Sequence, residues 1–293
     1  MREYRDIAPA KINLALHVTG RREDGYHLLD SLVTFANHGD VIRVSLAEQD
    51  AFTLSGAFST LMQQEALSDN LVIRARDQLR AAVLQHGGSA PAVAIHLEKN
   101  LPIASGIGGG SADAAATLRA LLRLWDVPLP ALSLHSIALT LGADVPMCLR
   151  GRPLRATGIG DEITPVPHLP SFGLVLGNPL KSVSTPAIFK ALTRRDFAPI
   201  ATLPTTSEQG DWLEALAAMR NDLEPVARQL CPEIAEISQL LRESGAALTR
   251  MSGSGATCFG LYPSLEKAEK AKTTLQAIKP DWYFQALKSV SEV

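Results

Sequence analysis

Several features that would assign a function at once are scarce or missing in this chain. Its three cysteines, Cys148, Cys231 and Cys258, are widely separated and form no CxxC pair, which excludes a disulfide framework and a cysteine-rich metal site. Their apolar surroundings predict buried thiols in a reducing, cytoplasmic setting. The seven histidines form no ligand cluster. No apolar run reaches the ~18 residues of a membrane span, and the polar start MREYRD is unlike a signal peptide.

Neither sign of charge dominates. Lysine and arginine number 28 against 30 aspartate and glutamate residues, which gives a formal net charge of −2. This balance gives no support to a role on nucleic acid or at a membrane surface. With 293 residues, 46% of them hydrophobic and 20% charged, the composition is that of a soluble globular protein with one large domain or two of ordinary size.

What the chain does have is a glycine-rich stretch, PIASGIGGGSADA at residues 102–114. Four of its residues lack a Cβ, so backbone N–H groups there can approach a bound anion closely: Gly106, Gly108, Gly109 and Gly110. Apolar residues at helical spacing follow, which predicts a helix to about residue 125, opened by Ser111. Its positive dipole end would lie at the glycines. We therefore predict a phosphate-binding loop rather than a flexible strand-to-helix turn.

The common phosphate-loop patterns do not fit this stretch. A Walker A loop has Lys-Ser or Lys-Thr after its glycines, and neither occurs here. A dinucleotide-binding loop is the first strand-to-helix turn of its domain, whereas this stretch begins only at residue 102. The loop is therefore of a third type.

Hydrophobic periodicity predicts an α+β class without regular βα units. Residues 8–18 alternate, with Lys11 and Asn13 on the face opposite the apolar side chains, which predicts a strand with one buried face. Asp69-Asn70 caps a predicted helix that ends at Gly87-Gly88. Other strands are predicted near 28–35, 41–46, 93–97, 172–177 and 282–290, with two more flanking 251–255. Other helices are predicted near 130–141, 186–193, 211–219, 231–244 and 264–278.

Three separated segments belong together: APAKINL at residues 8–14, the glycine loop with its helix, and MSGSGAT at 251–257. In this order they resemble the GHMP kinase superfamily of ATP-dependent small-molecule kinases. GYH at 25–27, GADVP at 142–146 and NDLEP at 221–225 look like one branch of it. Members of that branch act on a cytidine-diphosphate derivative of methylerythritol in the non-mevalonate pathway to isoprenoid precursors. The resemblance spans nearly the whole chain.

The resemblance implies an α+β, two-domain GHMP kinase fold. Its parts would be an N-terminal, ribosomal S5 domain 2-like ATP-binding domain at residues 1–163, a C-terminal, ferredoxin-like substrate-binding domain at 164–293, and an active site in the cleft between them. Prolines at 165, 167 and 170 indicate a linker past residue 160.

For the activity, the resemblance implies ATP-dependent phosphorylation of the substrate's 2-hydroxyl in the cytoplasm, with Mg²⁺ to neutralise charge between the β- and γ-phosphates. The metal ligands stay open, with Ser111 as a candidate. ATP and a cytidine diphosphate compound are the implied small-molecule partners. No nucleic acid, membrane or protein partner is implied.

The resemblance also implies roles for individual residues. Asp144 would accept the proton of the substrate hydroxyl, with orientation as its larger contribution. Lys11 would keep Asp144 ionised and stabilise charge in the transition state. The implied ATP-binding residues are Pro102, Ile103, Ala104, Ser105, Gly106, Ile107, Gly108, Gly109, Gly110, Ser111 and Ala112. The implied substrate-binding residues are Asn13, Tyr26, His27, Thr185, Phe189, Gly253, Ser254 and Gly255, with the aromatic rings on the cytosine.

Several of these residues also have a plainer local interpretation. Lys11 could be an exposed edge-strand lysine, and Phe189 a core residue. Asp144 could be a turn residue, and the following Val145-Pro146 predicts extended backbone there. Residues 252–255 could be only a hairpin turn.

Two other functions stay open. Another GHMP kinase, acting on homoserine, mevalonate or a sugar, is disfavoured by Tyr26-His27 and Phe189, because those substrates have no base to stack. A nucleotide-binding regulator without catalysis is disfavoured by Lys11 and Asp144, since a pure binder needs no base. Asp113 stays outside the predicted site, as an acid suited to the first turn of a helix.

Overall fold

Two long strands, β1 (Glu3–Arg21) and β2 (His27–Leu46), pair with each other at the start of the chain. The computed structural model describes residues 3–62 and 69–292. The chain forms two units. One contains the chain up to Ala10, His38–Ile103 and Gly108–Gly151, and the other contains Lys11–Asn37, Ala104–Ile107 and the chain from Arg152 onward. The domain boundary between residues 163 and 164 stays a prediction.

The first unit combines short strands with five described helices. β3 (Ala51–Ser55) runs parallel to β4 (Val93–Glu98), which pairs antiparallel with residues 41–46 of β2. The helices are α1 (Ser59–Met62), α2 (Leu71–Gln85), α3 (Gly109–Trp125), α4 (Ala131–Leu141) and α5 (Val145–Arg150). α3 packs against α2, α4 and α5, and its alanine-rich first half is buried.

Local sequence signals account for α2. Asn70 is its N-cap residue, and Asn70 Oδ1 accepts a hydrogen bond of 2.9 Å from the Val72 N–H, which confirms the predicted cap. Val72, Ala75, Leu79 and Val83 form its buried face. The burial in β4 alternates from residue to residue, as the sequence predicts.

The prediction of separate strands near 28–35 and 41–46 is wrong, because β2 is one continuous strand. The residues between them, ANHGD, include asparagine, glycine and aspartate, which are typical of a turn, yet the strand runs through them. A Cβ on Gly39 would overlap the backbone of Ala8 and Pro9, so glycine lets β2 lie close to this neighbouring segment without a break.

The second unit contains a hairpin and a separate four-stranded sheet. β5 (Leu154–Thr157) pairs antiparallel with Ser31–Val33 of β2 and with β6 (Glu162–Pro165). The separate sheet is antiparallel in the order β10-β7-β9-β8, formed by β7 (Gly173–Asn178), β8 (Leu248–Met251), β9 (Cys258–Tyr262) and β10 (Tyr283–Lys288). The described helices of the second unit are α6 (Thr185–Ala191), α7 (Gln209–Ala218), α8 (Glu224–Leu230), α9 (Glu233–Glu243) and α10 (Leu265–Ile278).

Helices α9 and α10 pack on this sheet and enclose a core of aliphatic and aromatic side chains. The interleaved helices and strands confirm the predicted α+β class. Periodicity misses β3, β5, β6, α1, α5 and α8, each at most 7 residues long and too short to show a period. The stretch interpreted as a proline-rich linker contains β6. Among the described residues, no helix combines the length and the apolar character that crossing a membrane requires.

Candidate functional site

Strand β1 carries Lys11 and Asn13, and both side chains are buried. Residues 10–18 are buried on both faces of the strand, so the predictions of one buried face and of an exposed edge lysine are wrong. Asn13 Nδ2 donates to Ser31 Oγ at 2.7 Å, whereas Asn13 Oδ1 is buried without a hydrogen-bond partner in the described part of the chain. A buried polar atom left unpaired costs ~1–3 kcal/mol. Asn13 therefore suits contact with a ligand.

The loop Ser252–Gly255 connects β8 to the adjacent antiparallel strand β9, as a hairpin turn would. It also joins two other predicted site segments through Ser252, which is completely buried. Ser252 Oγ accepts a hydrogen bond from the Asn13 N–H and donates one to the Gly106 carbonyl, both 3.1 Å long. A Cβ on Gly106 would come within 2.5 Å of the Ser252 carbonyl oxygen, so this approach requires glycine.

Two predicted substrate-binding side chains, Thr185 and Ser254, are in direct contact. Their hydroxyl oxygens lie 2.7 Å apart and share a hydrogen bond. Thr185 opens helix α6, and the Ser184 side chain caps this helix by accepting a hydrogen bond from the Ala187 N–H. Phe189, further along the same helix, is partly buried against the core of its unit. It is therefore not the full core residue that its local sequence suggests.

The ring of His27 stacks on the ring of Phe189, with centroids 4.6 Å apart and planes at 26°. The preceding residue, Tyr26, is 62% exposed. Burial, reinforced by the positive charges of Arg195 and Arg21, lowers the pKa of His27, so its ring is neutral at pH 7. His27 Nε2 is buried, and no described residue forms a hydrogen bond with it. Aromatic surface beside a polar atom without a hydrogen-bond partner suits a nucleobase.

The glycine-rich stretch continues into helix α3. Gly108 precedes the helix in the left-handed conformation, with a φ of 66°, and the Ala112 N–H closes the first helical hydrogen bond on the Gly108 carbonyl at 2.8 Å. The amides of Gly109, Gly110 and Ser111 consequently have no partner within the helix and form a positive site. Ser111 lies inside the helix and makes no cap, so its predicted capping role is wrong.

The earlier residues of the predicted ATP-binding stretch differ in exposure. Buried positions are Pro102, Ser105 and Ile107, partly buried ones are Ile103 and Gly106, and the exposed one is Ala104. The Ile107 carbonyl accepts a hydrogen bond of 2.9 Å from the Lys11 N–H. The chain passes from the second unit to the first between Ile107 and Gly108. Contact with ATP stays a prediction for the whole stretch.

Asp113 belongs to a buried charge cluster and is not the first-turn helix acid of the prediction. Lys99 Nζ donates to Asp40 Oδ2 at 2.5 Å and to Asp113 Oδ2 at 2.7 Å, and a Cβ on Gly109 would lie 3.2 Å from Lys99 Nζ. Burial, together with the charge of Asp40, raises the pKa of Asp113 to about 8 in spite of the Lys99 cation. The raised pKa favours the protonated form of the Asp113 carboxyl group at pH 7.

Asp144 directly precedes α5 and is partly buried. Its backbone is helical, with φ −84° and ψ −15°, so the extended conformation predicted from Val145-Pro146 is wrong. Pro146 lies in the first turn of α5, where its missing N–H is not needed by the helix. The Asp144 carbonyl accepts the Cys148 N–H at 3.1 Å, but its carboxylate makes no helix cap.

Sequence reasoning misses Ser252, Asn221 and the pair of Lys99 with Asp113. Ser252 stands inside the motif MSGSGAT, in which the sequence assigns a site role only to Gly253, Ser254 and Gly255. Asn221 opens the motif NDLEP, whose spacing alone gives it no role. Asp113 stands between two alanines, which is an available signal, since a buried polar side chain needs partners. Asn221 and Lys99 stand between polar residues and give no such signal.

Nearly the whole chain is similar to known kinases. Residues 70–152 match the GHMP kinases N terminal domain, and residues 190–280 match the GHMP kinases C terminal family model. The 4-diphosphocytidyl-2-C-methyl-D-erythritol kinase of Rhizobium leguminosarum bv. trifolii (strain WSM2304) is 59% identical over 97% of this chain and 94% of its own length. The protein of the same name in Rhizobium meliloti (strain 1021) is 57% identical, with 97% and 95% covered.

A solved structure of a kinase with this name is also similar to the chain. The crystal structure of a 4-(cytidine 5'-diphospho)-2C-methyl-D-erythritol kinase superposes with a TM-score of 0.80 at 34% identity. The match covers 98% of this chain and 99% of that one. The predicted two-domain GHMP kinase fold is confirmed.

Proposed function

The chain belongs to the GHMP kinases and, within them, to the 4-diphosphocytidyl-2-C-methyl-D-erythritol kinases, and from this membership we propose that it phosphorylates the 2-hydroxyl of 4-diphosphocytidyl-2-C-methyl-D-erythritol. As a small-molecule kinase of this family it takes the phosphoryl group from ATP. The γ-phosphoryl group moves to the hydroxyl oxygen, the hydroxyl proton is released, and ADP is the second product. The reaction is a step of the non-mevalonate isoprenoid pathway, in a cytoplasm that keeps the three buried thiols reduced.

The observation that carries this proposal is the stack of His27 on Phe189. A cytosine ring has a π-face and one hydrogen-bonding edge, and the pair supplies aromatic surface next to the Nε2 of a neutral imidazole, which has no hydrogen-bond partner among the described residues. The exposed ring of Tyr26 adds further aromatic surface. Homoserine, mevalonate and sugars have no base, so the pair favours a cytidine substrate over these alternatives.

Arg21 and Arg195 are proposed to bind the diphosphate of that substrate. The charges of both lower the pKa of His27, so both guanidinium groups are close enough to act on the proposed base site. Arg195 Nε is buried without a hydrogen-bond partner, and Arg195 has no acidic partner among the described residues. Guanidinium groups bind phosphate oxygens through directed N–H donors. Asn13, Thr185, Gly253, Ser254 and Gly255 complete the proposed substrate-binding set.

The ATP phosphates are proposed to bind residues 102–112, with the amides of Gly109, Gly110 and Ser111 as donors. Mg²⁺ fits this chain in the way usual for kinases, where one or two side chains and the phosphates hold the ion. The described residues contain no group of three or more His, Cys, Asp or Glu that could bind a metal by itself. The Ser111 hydroxyl at the positive helix end is the side chain proposed to contact the ion. When bound, Mg²⁺ neutralises charge on the β- and γ-phosphates.

Asp144 and Lys11 are proposed as the catalytic residues. Asp144 accepts the proton of the attacking hydroxyl and, more importantly, orients it, because a carboxylate is a weak base toward an alcohol. Lys11, only 4% exposed, supplies a cation to the negative charge of the transferring group. Charge stabilisation is stronger away from water, so burial increases its effect.

The test is ATP consumption by the purified protein with Mg²⁺ and a panel of acceptors: 4-diphosphocytidyl-2-C-methyl-D-erythritol, mevalonate, homoserine and galactose. We expect turnover with the first compound alone, with the new phosphate on its 2-oxygen by phosphorus NMR. Faster turnover of another acceptor would overturn the proposed identity of the substrate. Binding of ADP without turnover of any acceptor would favour a nucleotide-binding regulator.

A further inference from the structure

The motif NDLEP has no part in the proposed reaction, yet its backbone is fixed to strand β1. The Leu16 N–H donates to the Arg220 carbonyl, and the Asp222 N–H donates to the Leu16 carbonyl, both at 2.9 Å. The Val18 N–H donates to Asp222 Oδ2 at 2.8 Å. Three bonds therefore hold the segment around Asn221 against the strand that carries two proposed site residues.

The side chain of Asn221 connects this segment to the loop after β8. Asn221 Nδ2 donates to the carbonyls of Met251 and Gly253, each at 2.8 Å, and Asn221 Oδ1 accepts the Leu223 N–H at 3.0 Å. Glu224 Oε2 adds a bond of 3.1 Å from the Met251 N–H. Asn221 is 4% exposed, so a rotated amide would leave buried partners unpaired.

We propose that Asn221 is a positioning residue for phosphoryl transfer, which holds the loop Ser252–Gly255 in its substrate-binding shape. The two carbonyls need two N–H donors on one atom, and an amide supplies them where a carboxylate would present only acceptors. The loop itself has glycines at positive φ, with 55° at Gly253 and 88° at Gly255, and because glycine can adopt many other conformations, the loop depends on outside contacts for its shape. Asn221 acts through the loop and is itself buried. The substrate named in the test rests on the proposed function.

The test compares Asn221→Asp with a matched control, Asp222→Asn. Asn221→Asp keeps the shape of the side chain and removes the two donors. Asp222 is 5% exposed and binds Val18 and Arg220, with no bond to residues 251–255 in the described part of the chain. Both variants break buried hydrogen bonds of one segment, so both should lose thermal stability. Only the first should affect the loop.

Two measurements separate the outcomes. We expect Asn221→Asp to lower kcat/KM for the cytidine substrate about 10-fold or more, and to speed hydrogen exchange at the amides of Ser252–Gly255. Asp222→Asn should stay within about 3-fold of wild type in kcat/KM and leave that exchange unchanged. Equal effects of the two variants on exchange and kcat/KM would overturn the proposal.

The exchange measurement needs no substrate, so it separates this proposal from the proposed function. Wild-type protein that does not turn over the cytidine compound would overturn the function and leave the exchange comparison valid. If Asn221→Asp does not fold, Asn221→Ser takes its place under the same criteria, because a single hydroxyl donor cannot serve both carbonyls.

Discussion

Lys99 and Asp113 form a buried hydrogen bond in which the ammonium group donates to a carboxyl group whose pKa is raised. The Lys99 ammonium bonds to Asp113 Oδ2 at 2.7 Å and to Asp40 at 2.5 Å. One cation is shared by two carboxyl groups, and burial disfavours a second negative charge, so the pKa of Asp113 rises to about 8. Because this cluster lies beside Gly109, its protonation state affects the stability of the unit that carries α3.

This contact predicts how stability depends on pH. Between pH 4 and pH 8 folded Asp113 holds a proton that the unfolded chain, with a pKa of about 3.9, has released. Unfolding therefore releases a proton, and stability falls as pH rises through this window. Asp113→Asn removes the titrating group. The melting temperature of the variant, relative to that of wild type, should therefore rise as pH increases from about 5 to about 8.5.

Calorimetry of both proteins across that pH range checks the prediction. The histidines whose pKa is lowered, His17, His27 and His38, are present in both proteins, and their contribution cancels in the difference. Asp40→Asn is the control: it puts an NH2 donor in place of the carboxylate oxygen that accepts from Lys99 Nζ, while its remaining oxygen can still accept the Asn100 and Leu101 amides, and it should lower the melting temperature at every pH. A difference between Asp113→Asn and wild type that does not change with pH would contradict the shifted pKa.

The aromatic stack predicts a selective effect on substrate affinity. Phe189→Leu keeps an apolar side chain against the core but removes the ring that faces His27. Stacking on a base is worth ~1–3 kcal/mol, so KM for the cytidine substrate should rise about 10-fold, with little change in KM for ATP. Steady-state kinetics with each substrate varied measures this. Phe197→Leu, on the same unit but outside the stack, is the control. If Phe189→Leu raised KM for the cytidine substrate and KM for ATP equally, base stacking would be contradicted.

Local parts of this molecule are predictable from sequence because neighbouring residues cause them. Asn70 caps α2 through an amide only two residues on. The alternating apolar residues of β4 likewise produce its alternating burial. In each case the responsible residues lie close together in the chain.

The burial of the site is not predictable in this way. Residues 8–18 alternate as a half-exposed strand does, and only contacts with distant segments cover the polar face. Asn13 meets Ser31, and its amide meets Ser252. Nothing in the pattern around Asn13 specifies which later segment supplies those partners. The same holds for Asp113, whose sequence position suits a helix end but whose partner is Lys99.

Two adjacent arginines offer a test of diphosphate binding. Arg194 is exposed and already paired with Asp196 at 3.0 Å, whereas Arg195 has no acidic partner among the described residues. Arg195→Gln should therefore raise KM for the cytidine substrate about 10-fold, and weaken its dependence on salt, since one charged contact is lost. Arg194→Gln should leave both unchanged. Kinetics at low and high salt decide, and identical behaviour of the two variants would exclude Arg195 from the diphosphate site.

Asp144→Asn tests the proposed base while it leaves nucleotide binding intact. The amide has the same size, cannot accept the hydroxyl proton and orients the hydroxyl less well, so kcat should fall about 100-fold or more. Affinity for ADP should stay within about 2-fold of wild type, because the proposed phosphate donors are the backbone amides around Gly109. The matched control is Asp126→Asn, an exposed acid at the end of α3 whose φ of 53° asparagine tolerates. Steady-state kinetics and calorimetric titration with ADP make the comparison. Full turnover by Asp144→Asn would remove Asp144 from the mechanism, whereas loss of both turnover and ADP binding would show that Asp144 supports the nucleotide site instead of the proton transfer.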